Sequence, residues 1–195
     1  MKLVVAMIDV EGYIKPLIEN VPVTLKVIKP LLLDEKIFNE YTIQGDSGDR
    51  IRVPLSIAKV LVREGYCAFD DDTDINKMKR VLWFEMKDKD SITELPKDFY
   101  LKIGRLIKRY EKKLEKDPLN YEANFALNML KSLLHDIIKC RLQKIVKLCV
   151  SNPNVDKDVL NKLTVEEEFF YKFLCGFVNS WLNYIENECG EYYDE

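Results

Sequence analysis

The rhythm of apolar and polar residues changes at Asp70-Asp71-Asp72-Thr73-Asp74. Before that acidic run, β-type segments dominate. Residues 3–8 and 21–28 are rich in β-branched side chains, which suits strands. Residues 40–43 and 50–53 flank Gln44-Gly45-Asp46-Ser47-Gly48-Asp49, and two short strands around such a turn read as a hairpin. Pro54 then opens a helix in its first turn, and Gly65 closes it. Residues 66–69 fit a last short strand.

After the run the helical period takes over. One helix is expected over 75–87, a second from just after Pro96 to about Glu115, and a long third from Pro118 or Tyr121 to Val150. Residues 151–161 read as a loop with one helical turn. Thr164 and Glu167 form a capping box that opens the last helix, which ends near Gly190. The fold class is therefore mainly α. A small N-terminal α+β, β-rich module (residues 1–72) precedes a larger all-α helical bundle domain (residues 75–190).

At about 100° of rotation per residue, Leu127, Leu130, Leu133, Leu134, Ile137, Ile138, Ile145 and Leu148 share one arc of the long helix. Asn124, Asn128, Lys131, His135 and Lys139 fall opposite. Arg141 lands in the middle of the apolar arc, where a lone charge is costly. Glu166, Glu167 and Glu168, at the start of a neighbouring helix, are its candidate partners in a structural ion pair. The alternative is that Arg141 snorkels to the surface.

In the last helix Phe169, Phe170, Phe173, Leu174, Phe177, Val178, Trp181, Tyr184 and Ile185 cover about half the circumference. A helix on one core needs a stripe of only about 100°. The excess fits either a partner subunit or a central place in its own bundle. The candidate subunit interface comprises Phe99, Tyr100, Phe169, Phe173, Phe177, Trp181 and Tyr184. The second helix opposes an apolar stripe with a candidate basic patch of Lys102, Arg105, Lys108, Arg109 and Lys112, joined by Lys113. These cations could meet DNA phosphates or an acidic partner, or simply form a solvated face.

Composition narrows the function classes. The chain has 195 residues, 47% of them hydrophobic and 32% charged, which suits a soluble protein of one or two domains. A net charge of -3 gives no global pull toward nucleic acid or acidic membranes. The 5 cysteines are odd in number and widely spaced, so neither a disulfide framework nor a zinc site is expected. The apolar opening of residues 1–8 is too short for a signal or a membrane span. Catalytic motifs fail in context. Gly45-Asp46-Ser47-Gly48 has the letters of a trypsin-type nucleophile, but the single His135 follows it on a polar helix face. Asp70, Asp72 and Asp74 start like a calcium loop, yet Ile75 and Val81 occupy its Gly and Glu positions. Phosphate-cradling loops are lacking. No enzyme activity, cofactor or metal is expected.

Three segments carry a resemblance. They are Leu95, Pro96, Phe99 and Tyr100; Arg141, Lys144 and Ile145; and Leu163, Thr164, Glu166 and Glu167. In that order, between helices, they resemble the helical domain of the GINS proteins. Residues 83–94 look like the acid-containing first helix of that domain. Gly48 to Leu55, with Ala58 and Leu61, is similar to the strand-then-Pro-helix element of the family's small β-rich domain. The domain order resembles the Psf-two and Psf-three type and its archaeal counterpart, whereas the Phe-Tyr signature is closer to paralogues with the helical domain first. The resemblance implies a non-enzymatic subunit of a tetrameric GINS assembly that bridges the MCM replicative helicase and a RecJ-like partner. It implies at most indirect or weak DNA contact, no membrane, and a cytoplasmic, nucleoid-associated location. A stand-alone DNA-binding module using the basic helix is the alternative.

Overall fold

A computed structural model describes residues 9–33 and 43–191, with the side chains of all of them except residues 33 and 188–191. The expected strand at 3–8, most of the one at 40–43, and Cys189 lie outside the residues so described. The chain forms two compact units, Met1–Asp72 and Thr73–Glu195.

The first unit contains α1 (Val10–Glu19), β1 (Pro22–Val27), β2 (Leu31–Leu33), β3 (Ile43–Gly45), β4 (Arg50–Pro54), α2 (Leu55–Arg63) and β5 (Cys67–Phe69). β1 is the centre of an antiparallel sheet ordered β4-β1-β5, while β2 pairs with β3. Among the described residues β3 and β4 are therefore not paired, and the expected hairpin around Gly45–Gly48 is not formed there. β4 lies against β1, with Val23 opposite Val53 and Leu25 opposite Ile51. β1 alternates strictly, burying Val23, Leu25 and Val27, and Val53 completes that buried face across the pair. The turn itself is present. Gly48 has φ +102°, a region open to glycine, and Asp49 N donates to Asp46 O at 3.0 Å. The Ser47 hydroxyl donates to Ile28 O at 2.9 Å, a turn contact.

Pro54 stands at the N-cap of α2 and not in its first turn. Gly65 (φ +74°) ends α2, with Tyr66 N donating to Leu61 O at 3.0 Å. α1 has no counterpart in the sequence reading. Pro16 lies inside it, and an interior proline argues against a helix. The Asp9 carboxylate nevertheless caps it, accepting from Gly12 N at 2.9 Å.

The second unit is helical: α3 (Ile75–Lys87), α4 (Phe99–Lys116), α5 (Tyr121–Ser151), α6 (Lys157–Lys162) and α7 (Val165–Glu191). α3, α4 and α7 all pack on α5. Local caps set the starts. Asp74 accepts from Lys77 N at 2.7 Å and Asn120 from Ala123 N at 2.9 Å, each satisfying an orphan donor of a first turn. Thr164 and Glu167 exchange the two bonds of a capping box, at 3.1 and 3.4 Å.

Two apolar clusters fill the unit. One gathers Met78, Leu95, Phe99, Ile103, Leu106, Leu130 and Ile137. The other gathers Ile92, Ile145, Cys149, Leu163, Tyr171 and Cys175. In α5 their residues Ile137 and Ile145 stand one turn on either side of Arg141. Ile138, placed on the apolar arc by the wheel, is exposed instead. Cys149 and Cys175 hold their sulfurs 2.9 Å apart. Burial, then the Cys175 thiol, pushes Cys149 up to about 12, so its reactive thiolate is scarce at neutral pH.

Candidate functional site

Arg141, 0% exposed, spends all five guanidinium N–H groups on protein acceptors. Nε and Nη2 grip the Glu167 carboxylate as a fork, at 2.6 and 2.7 Å. Nη1 donates to Glu85 Oε1 at 2.5 Å and to Thr93 O at 2.8 Å. Nη2 also donates to Lys162 O at 3.2 Å. The carboxylates are shared further. Glu85 accepts from Lys144 Nζ and, at 3.2 Å, from Thr93 N. Glu167 accepts from Tyr100 Oη at 2.6 Å.

Two cations thus face two anions in a buried centre drawn from α3, α5 and α7, with the α4 phenol closing it. Burial alone would lower the Arg141 pKa. The hydrogen bonds and charge of Glu167, with the charge of Glu85, outweigh it and hold Arg141 above its usual value. Burial, followed by the charge and hydrogen bond of Glu167, pushes the Tyr100 phenol up, so it stays a donor at neutral pH. Every strong group here is occupied by another protein group. The arrangement ties helices together.

Of the three predicted acids, Glu167 alone bonds Arg141. Glu168 instead joins Lys97 at 3.2 Å and Lys172 at 2.6 Å. Burial would raise its pKa, but those two lysines hold it below the ordinary value. Glu166 has one oxygen, Oε2, buried without a hydrogen-bond partner. Burial raises its pKa, against its own backbone N–H and the Thr164 hydroxyl.

A carboxylate raised in the folded state favours folding below its unfolded pKa and loses that contribution as pH rises through the folded pKa. Glu166→Gln is therefore expected to stabilise the protein at pH 7 by up to about 1 kcal/mol, given that the side chain is partly solvated. Urea unfolding at pH 7 and pH 4 should show the gain shrinking at the lower pH. A variant less stable than the parent at pH 7 would contradict it.

Sequence reasoning named Lys144 only as part of the resemblance, and missed both Glu85 and Lys144 as members of the charge centre. The signal was the same as for Arg141. Glu85 falls on the α3 stripe of Met78 and Leu82, and Lys144 lies beside Ile145, so both are charges at helix positions that face a core.

Phe99 and Tyr100, named as interface candidates, are interior. Phe99 is buried in the first cluster, its ring T-shaped against Tyr100 at 5.4 Å. Phe169 is half-buried. Phe173 (46%), Phe177 (61%), Trp181 (55%) and Tyr184 (59%) are exposed and form one stripe along α7. In the basic patch, Lys102 pairs with Asp98 at 3.2 Å and Arg105 is half-buried, while Lys108, Arg109 and Lys112 are exposed. Among the described residues no three His, Cys, Asp or Glu side chains converge as metal ligands.

Residues 72–186 match the family model Sld5, described as the GINS complex protein helical bundle domain. This chain belongs to the GINS family. No curated protein matches it. The GINS match spans the whole charge centre, from Glu85 to Glu167. The segments that carry the GINS resemblance are far apart in sequence yet meet in space. Leu95 N donates to Lys162 O at 3.1 Å, Tyr100 and Arg141 share the Glu167 carboxylate, and Leu163 and Thr164 are fully buried beside it. GINS membership makes the chain a subunit of a GINS-type replication complex, associating with other GINS subunits, in a family of non-catalytic replication factors.

Proposed function

We propose that this chain is a non-enzymatic GINS subunit that bridges and activates the MCM replicative helicase, in a tetrameric assembly that also engages a RecJ-like partner. The supporting observation is the family match over the helical unit together with the exposed aromatic stripe of α7. Large aromatic side chains are favoured at the centres of protein interfaces. That stripe is the surface for a second GINS subunit, and the small N-terminal module, in the archaeal-type order, is a docking unit. The assembly works by favouring the active conformation of the helicase through differential binding. It acts in the cytoplasm at the nucleoid, with DNA contact weak or mediated by its partners.

The test is affinity purification of the tagged full chain from its own cells, with the retained proteins identified by mass spectrometry. Recovery of a GINS paralogue with MCM is the expected result. A paralogue without MCM would overturn the bridging role. The chain alone, in good yield at moderate salt, would overturn the obligate-subunit reading.

A further inference from the structure

α3 has two faces of opposite character. Toward α5 it buries Met78 and Glu85, with Val81 and Leu82 half-buried. Its other face carries Lys79, Arg80, Trp83, Phe84 and Lys87. At about 100° per residue these five fall within roughly 140° of arc. Trp83 is 55% exposed and Phe84 50%. Their rings sit T-shaped, with centroids 5.0 Å apart, and Lys87 Nζ lies 5.0 Å from the Trp83 ring centroid. Lys79, Arg80 and Lys87 are all exposed. The only acid of α3, Glu85, is buried on the opposite face and occupied by Arg141 and Lys144.

We propose that this face of α3 is a contact for single-stranded DNA. Two neighbouring exposed aromatic rings offer a stacking platform for unpaired bases, and stacking accepts any base because each has a π-face. Cations flank the rings, one turn before and one turn after, where a strand laid over the aromatics would carry its phosphates. From Lys79 to Lys87 the helix spans about 12 Å, which covers a few nucleotides. Duplex DNA would not use the rings, since its bases already stack on one another.

A protein partner fits this face less well. Interface centres are depleted in lysine, and here Lys79 and Lys87 flank the aromatics. The α7 stripe has the contrasting make-up. No Lys or Arg occurs from Phe173 to the end of the chain, as expected for a surface that meets protein. The patch on α4 differs again. Its exposed cations Lys108, Arg109 and Lys112 lack a freely exposed ring among them, because Tyr110 is half-buried.

The chain contains its own reporter. Its tryptophans are Trp83 and Trp181, so Trp181→Phe leaves Trp83 as the single indole. Titration of that full-length variant with oligo(dT) at low salt should quench its fluorescence in a saturable way. The logarithm of the binding constant should fall against the logarithm of salt concentration with a slope of about -2, for three phosphate contacts on a single strand. By anisotropy of labelled oligo(dT), Trp83→Ala should weaken binding about fivefold or more. Lys79→Glu with Arg80→Glu should weaken it at least tenfold, while Lys108→Glu with Arg109→Glu should leave it unchanged.

Absence of quenching at low salt would overturn the proposal. So would equal or tighter binding of duplex DNA, or loss of binding in the α4 variant alone. The same α3 variants are read for co-purification with GINS subunits. Lost co-purification with unaltered DNA binding would assign this face to a protein contact. The two readings thus fail separately, because the DNA titration needs no partner subunit.

Discussion

Arg141→Ala is expected to destabilise the helical unit by about 3–5 kcal/mol, the usual cost of removing one partner from a buried ion pair. The substitution strands Glu85 and Glu167 in the interior with only Lys144 as a counter-charge, and it removes the Arg141 bond to the Thr93 carbonyl, while Lys162 O keeps Leu95 N. Total stabilities are only about 5–15 kcal/mol, so the loss is a large share. For a chain of this size each kcal/mol moves the melting temperature by roughly 2–4 °C. Denaturant unfolding of the full chain is the direct measurement. Arg141→Lys should fall between the parent and Arg141→Ala, because an ammonium keeps the charge but cannot reproduce the fork or five donors. A double-mutant cycle with Glu167→Gln should show strong coupling. A melting shift under about 3 °C for Arg141→Ala would mean that the centre contributes little.

Phe177→Glu combined with Trp181→Glu is expected to weaken association with the partner GINS subunit by at least a hundredfold. Central aromatic anchors cost about 2 kcal/mol or more each when removed, and a desolvated carboxylate in their place adds to that. Both side chains are more than half exposed in the isolated chain, so its own melting should scarcely change. Light scattering on co-expressed subunits reads the first effect, and thermal unfolding of the chain alone reads the second. Unaltered assembly would remove α7 from the interface. Collapse of the chain by itself would show instead that the stripe serves its own bundle.

The two substitutions act on features with different histories in the sequence. Arg141 stood out because eight-residue spacing places Ile137 and Ile145 one turn to either side of it, and a charge in that row needs a partner. Its true partner set did not stand out. Glu85, from a helix more than fifty residues earlier, stood on a core-facing stripe, but its pairing with Arg141 showed only once α3 was seen against α5. The α7 stripe was plain from periodicity, but whether it faced solvent or its own core depended on which helices packed around it. Phe99 and Tyr100 show the reverse case. They were grouped with the surface aromatics, yet they turn inward because Tyr100 has Glu167 to bond and Phe99 has a cluster to fill.

Contacts between neighbours along the chain settle the local elements. The spans of α3, α4, α5 and α7 follow from caps and from a 3.6-residue period, interactions that reach no further than one turn. The break at the acidic run and the order of a β-rich module before a helical one are equally local. Long-range packing, by contrast, makes β4 pair with β1 and not with β3, because a turn such as Asp46–Asp49 reverses the chain without choosing the strand it meets. Only the tertiary structure chose Glu167 over Glu166 and Glu168, because three adjacent acids on a helix point about 100° apart and a single one faces the buried guanidinium.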